Sequence, residues 1–165
     1  MRALGNAIGG AMDQDQRAKP GAILCVDDEG IILMHLLSLL RRRYSEAYRI
    51  EGVSDATSGM ATISRLYGEG FRVILILSDW LMPGMNGDEF IRIVHEQHPD
   101  VKAIVISGKA ALDQMAAAME GLGVVGFLPK PLLVNDLYGL IDGIIAEGPA
   151  AKTRRSQCAG WQLWS

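Results

Sequence analysis

The sequence predicts an α/β fold of the doubly wound class, in which five strands of one parallel sheet alternate with five helices. Three observations carry this. Short apolar runs alternate with segments of helical periodicity along most of the chain. The run Val73-Ile74-Leu75-Ile76-Leu77 is apolar at every position, as a central strand covered by helices on both faces must be. The polar residues with chemical character stand just after the apolar runs, where a parallel sheet gathers them at one edge. Right-handed crossovers leave few topologies compatible with this pattern.

Each element has its own signal. Ala22–Val26 is a short apolar strand that runs into Asp27-Asp28-Glu29. Gly30–Tyr44 has Leu33, Leu36, Leu37 and Leu40 at helical spacing, and Arg41, Arg42 and Arg43 suit the negative end of that helix's dipole. Tyr48–Val53 is a modest strand. Ser54 and Asp55 then open a helix carrying Ala56, Met60, Ile63 and Tyr67, which Gly68 and Gly70 punctuate. Phe71–Leu77 is the strongest strand and leads to Asp79 and the loop Met82–Gly87. Asp88–His98 is a helix with Phe90, Ile93 and Val94 on one face, closed by Pro99. Ala103–Ile106 is the fourth strand, ending in Ser107-Gly108. Leu112, Met115 and Met119 mark a weak, alanine-rich fourth helix. Val124–Leu128 is the fifth strand, followed by Pro129-Lys130-Pro131. Leu133, Leu137, Leu140, Ile141, Ile144 and Ile145 give the last helix.

The 165 residues suffice for one domain with a sound core, and 49% hydrophobic with 21% charged residues is ordinary globular composition. A net charge of −3 is too mild to point to nucleic acid or a membrane surface. No run is apolar enough to span a bilayer, and Met1–Met12, broken by Gly5, Asn6, Gly9 and Gly10, makes a poor secretory signal. Cys25 and Cys158 form no disulfide framework, so a cytoplasmic setting is expected. Residues 1–20 read as a flexible extension and 21–147 as the folded domain. Residues 148–165, with Lys152, Arg154, Arg155, Trp161 and Trp164, read as a disordered tail or a short docking peptide, too short for an output domain.

The residues at the strand ends suggest the chemistry. Asp27, Asp28 and Glu29 follow the first strand, Asp79 the third, Ser107 the fourth and Lys130 the fifth. Carboxylates gathered in one pocket repel, and a hard divalent cation such as Mg²⁺ or Mn²⁺ relieves this with oxygen ligands. An ionised aspartate beside such an ion and an ammonium can attack phosphorus, with the developing charge offset by both. His35, His95 and His98 lack metal-ligand spacing, and Met34, Met60, Met115 and Met119 read as core fillers.

The string Ser78-Asp79-Trp80-Leu81-Met82-Pro83-Gly84-Met85-Asn86-Gly87 resembles the phosphoacceptor loop of bacterial response-regulator receivers. Asp27-Asp28, Ser107 and Lys130-Pro131 stand at the other positions of the family's motif, and the resemblance covers about residues 20–147. It implies a flavodoxin-like strand order 2-1-3-4-5 and a stand-alone receiver. The receiver would take a phosphoryl group onto Asp79 from a phosphohistidine of a sensor kinase or histidine phosphotransfer protein. In that reading Asp28, Asp79 and the Leu81 backbone carbonyl bind the ion directly, and Asp27 assists through water. Lys130 pairs with the phosphoryl group, Ser107 is the switch hydroxyl, Phe127 the switch aromatic, and the bond before Pro131 is cis. Such a protein is no enzyme beyond its own phosphorylation and dephosphorylation. A downstream protein partner would read the fourth helix, fifth strand and last helix, and phosphorylation could make a homodimer. Leu81 and Lys109 fall where the family tunes phosphoryl loss, and apolar Leu81 is expected to hinder an attacking water. A phosphorylation-independent binding module on the same fold is the alternative. The acidic cluster after the first strand argues against a flavin phosphate there, and the place of Asp79 argues against an aspartyl phosphatase.

Overall fold

The computed structural model describes residues 20–108, 115 and 117–148. Its elements are β1 (Gly21–Val26), α1 (Gly30–Tyr44), β2 (Arg49–Val53), α2 (Ala56–Gly68), β3 (Arg72–Asp79), α3 (Gly87–Gln97), β4 (Lys102–Gly108), β5 (Val124–Lys130) and α4 (Val134–Glu147). The strands form one parallel sheet in the order β2-β1-β3-β4-β5. The doubly wound class and the strand order are therefore as the sequence implies. The described residues hold four helices rather than five. Of the expected fourth helix, Met115, Ala117 and Ala118 are helical, and Met115 and Met119 are buried. Lys109 and Leu112 lie outside the described residues, as do the extension before Pro20 and the tail after Gly148.

Alternate strand residues face opposite sides of the sheet, so each strand feeds two cores. Leu24, Val26 and Val105 join Ile63 and Leu66 of α2 and Phe90 and Val94 of α3 in one core. Ile23, Cys25 and Leu77 join Leu36 and Leu40 of α1 and Leu137 and Ile141 of α4 in the other. Burial from both sides is why β1 and β3 need apolar residues almost throughout. It also pushes the Cys25 thiol pKa up to about 12, which keeps it protonated and inert.

Local chemistry sets the helix ends. The Asp55 side chain caps α2 by accepting from the Ser58 backbone N–H at 2.7 Å. The basic end of α1 is tied to α4: Arg43 Nη2 lies 2.6 Å from Asp142 Oδ2, and the Tyr44 hydroxyl donates to Asp142 Oδ1 at 2.7 Å. The Tyr138 hydroxyl donates to the Leu39 carbonyl at 3.1 Å, and the Arg43 guanidinium sits 4.7 Å from the Tyr138 ring centre. The two edge strands differ from the interior ones. On β2, Arg49 and Glu51 pair at 2.8 Å and Arg65 of α2 reaches Glu51 at 3.3 Å. The outer strand β5 contains Pro129, which has no N–H to offer. Among the described residues, no helix is long and apolar enough to cross a membrane.

Candidate functional site

Strand register brings the polar ends together. Val26 at the end of β1 aligns with Ser78, Asp79 with Ile106, Ser107 with Pro129, and Gly108 with Lys130. Asp79, Ser107 and Lys130 thus lie within the ends of their strands, where the sequence suggested positions just after them. A pocket at this edge is lined by Asp28, Glu29, Asp79, Leu81, Ser107, Gly108 and Lys130.

Asp79 is held closely. Its Oδ1 accepts the Trp80 backbone N–H at 2.8 Å, and the Ser78 hydroxyl donates to its backbone carbonyl at 2.9 Å. The Trp80 N–H itself points toward the Ile106 carbonyl at 3.2 Å, and the Gly87 N–H donates to the Trp80 carbonyl at 2.9 Å. At Gly87 a Cβ would overlap the Asp79 carbonyl oxygen, so only glycine lets the chain return this closely under the acceptor strand.

Lys130 reaches into the pocket from β5. Its Nζ lies 2.9 Å from Glu29 Oε1, 3.3 Å from Asp27 Oδ2 and 3.3 Å from Asp79 Oδ2. Asp27 Oδ1 accepts the Glu29 backbone N–H at 2.8 Å, whereas the buried Asp27 Oδ2 has no hydrogen-bond partner despite its ion pair. Carboxylate oxygens of Asp27, Glu29 and Asp79 all lie within 4.8 Å of one another. One ammonium faces three carboxylates, so negative charge is in excess. Burial raises the Asp27 and Asp79 carboxyls above the ordinary range, and the nearby Lys130 only partly offsets it. Lys130 is itself raised: burial opposes its charge, but Glu29, Asp27 and Asp79 together outweigh that.

The remaining candidates occupy distinct places. Asp28 is exposed on the pocket lining, while Asp27 is buried below it. Leu81 is 64% exposed at the rim, and Ser107 is buried in the wall. The Lys130–Pro131 bond is cis. Phe127 does not line the pocket; it is half-buried against the core that contains Met115. Glu29 was visible in the sequence as part of the acidic run, but nothing in the run marked it as the closest partner of Lys130.

The donor set fits a hard divalent cation. Every side-chain ligand is a carboxylate oxygen, negative charge is in excess, and one buried carboxylate oxygen makes no hydrogen bond.

A family model described as the response regulator receiver domain matches residues 23–142, and the chain belongs to that family. It is 33% identical over 123 residues to the hydrogenase transcriptional regulatory protein HoxA of Cupriavidus necator, which covers 74% of this chain and 24% of that protein. It is 32% identical over 115 residues to the sensor kinase CckA of Brucella abortus, covering 70% of this chain and 11% of that one. The chain therefore spans a quarter or less of the length of these relatives. A solved CheY-like response regulator receiver domain protein from Methanospirillum hungatei JF-1 superposes with a TM-score of 0.63 at 30% identity, covering 78% of this chain and 98% of that one. Receivers of this family take phosphoryl groups from sensor kinases, bind Mg²⁺ through an acidic pocket and act on downstream partners.

Proposed function

We propose that Asp79 accepts a phosphoryl group from a phosphohistidine on a sensor kinase or phosphotransfer protein, and that the phosphorylated domain switches a protein–protein interaction. The observation that supports this best is the surplus of carboxylate around one ammonium, with buried Asp27 Oδ2 ion-paired but without a hydrogen bond. A structural ion pair needs no such surplus. A divalent ion needs it.

In this reading an Asp79 carboxylate oxygen forms the new P–O bond while the P–N bond of the donor histidine breaks, and the electron pair returns to the imidazole nitrogen. The Trp80 N–H at Asp79 Oδ1 fixes the carboxylate plane for that attack. Lys130, 3.3 Å from Asp79 Oδ2, stabilises charge on the transferred oxygens. Ser107 offers a hydroxyl to a phosphoryl oxygen from the pocket wall. Asp28, Asp79 and the Leu81 carbonyl would hold Mg²⁺, with Asp27 assisting, and the bound ion would neutralise carboxylate and phosphoryl charge. Exposed Leu81 at the rim slows the approach of water to the phosphorylated aspartate. The change is read out through the face containing β5 and α4, with Phe127 on β5 and Ser107 on the adjoining β4.

The test is intact-protein mass after incubation with acetyl phosphate and Mg²⁺. One phosphoryl group is expected on the parent, none on Asp79→Ala and none with chelator. No gain under conditions that label another receiver would instead favour a phosphorylation-independent binding module.

A further inference from the structure

We propose that Glu29 is a positioning residue: in the unphosphorylated domain it holds Lys130, and the incoming phosphoryl group takes Lys130 from it. This rests on Asp79 being the phosphoacceptor. Lys130 has three N–H donors, and three carboxylates already surround it, at 2.9 Å for Glu29 and 3.3 Å for Asp27 and Asp79. The Glu29 contact is the closest and has hydrogen-bond geometry. A phosphoryl group on Asp79 adds acceptor oxygens beside an ammonium that is hydrogen-bonded to Glu29 and ion-paired with Asp27 and Asp79, so it competes with these partners for Lys130.

The three partners are unequal in what leaving costs them. The Asp27 side chain is 1% exposed and is pinned at its other oxygen by the Glu29 N–H. Asp79 carries the phosphoryl group. The Glu29 side chain is 59% exposed and can turn into water at small cost. Its place in the fold points the same way. Glu29 is the N-cap of α1, a position where Ser, Thr, Asp or Asn serve best, and its side chain makes no cap hydrogen bond. It reaches instead across the sheet edge to a residue 101 positions away in sequence. Its backbone N–H holds Asp27 whatever the side chain, so the two roles separate by substitution.

Glu29 thus acts as a competitor for Lys130 and as a negative charge on the lining of the pocket that an anionic donor would enter. Glu29→Gln keeps shape and backbone while removing the charge, and Glu29→Ala removes the reach. At saturating Mg²⁺, both variants should be labelled by acetyl phosphate about two- to fivefold faster than the parent, the scale of one exposed ion pair. Mg²⁺ affinity, read from Trp80 fluorescence in a W161F/W164F background, should fall less than tenfold. In metal-free protein the Lys130 ammonium NMR signal, assigned by its loss in Lys130→Arg, should move with Glu29→Gln and stay put with Glu46→Gln. Unchanged or slower labelling, an unmoved Lys130 signal, or a tenfold or greater loss of Mg²⁺ affinity would each overturn the proposal, the last by making Glu29 a metal ligand. A parent that takes no phosphoryl group defeats the phosphoacceptor reading itself, whereas a labelled parent with indifferent variants defeats only the role of Glu29.

Discussion

Two charge clusters join distant parts of this chain, and they are built on opposite terms. At the carboxyl edge of the sheet, Lys130 meets Asp27, Glu29 and Asp79. On the α1–α4 face, Arg43 and Tyr44 meet Asp142. In the second cluster both Asp142 oxygens are engaged, and the hydrogen bonds from Arg43 and then Tyr44 hold its carboxyl below the usual range. In the first, burial lifts Asp27 and Asp79, the charges do not cancel, and one buried oxygen makes no hydrogen bond. An ion pair alone says little about function. A buried surplus of one sign, kept at the expense of stability, marks the place where something else binds.

The sharpest way to break this comparison is to disturb the frame of the first cluster. Gly87→Ala forces a methyl group into the Asp79 carbonyl and should cost about 2–3 kcal/mol in chemical denaturation, with loss of acetyl phosphate labelling. Wild-type stability in that variant would show that the loop can yield.

Removing the surplus should have the opposite sign. The double variant Asp27→Asn/Asp79→Asn is expected to be more stable than the metal-free parent at neutral pH by roughly 1–2 kcal/mol. Because both carboxyls are raised in the folded state, their favourable contribution is complete below the ordinary carboxylate range and is lost as pH rises through the raised values. The gap between parent and double variant, followed by Tm in chelator, should therefore close as pH falls from 7. Asp142 behaves in reverse: its contribution is present above the ordinary range and is lost as pH falls through its depressed value. A gap that stays constant with pH would refute the surplus.

Tyr44→Phe removes one hydrogen bond from the second cluster and should cost about 1 kcal/mol, without altering the labelling rate. A change in labelling would mean that the clusters are coupled. The smallest effect is kinetic: Leu81→Asn replaces an exposed apolar rim with a polar one and should hasten phosphoryl loss about two- to fivefold. Unchanged or slower decay would remove Leu81 from the account.

Much of this was legible because it rests on pattern. The double burial of β3 shows as an uninterrupted apolar run, and α1 begins and ends where Gly30 and Tyr44 suggest. Strand ends were less legible. β3, β4 and β5 extend to Asp79, Gly108 and Lys130, because parallel pairing continues through polar residues whose side chains the pocket accepts. Side-chain direction after β1 was not legible. Asp27 is buried and Asp28 exposed, and a fully buried strand offers no alternation from which to choose between adjacent carboxylates. The reach of Glu29 to Lys130 is a tertiary contact for which no local signal exists.

The edges of the sheet carry a consequence for how this domain can be recognised. β2 shows ion-paired Arg49 and Glu51, and the outer strand β5 carries Pro129, which has no N–H to donate. Both features disfavour pairing with a further strand at these edges. Recognition is better served by helix surfaces and loops, where a small rearrangement in the pocket is felt as a change of shape.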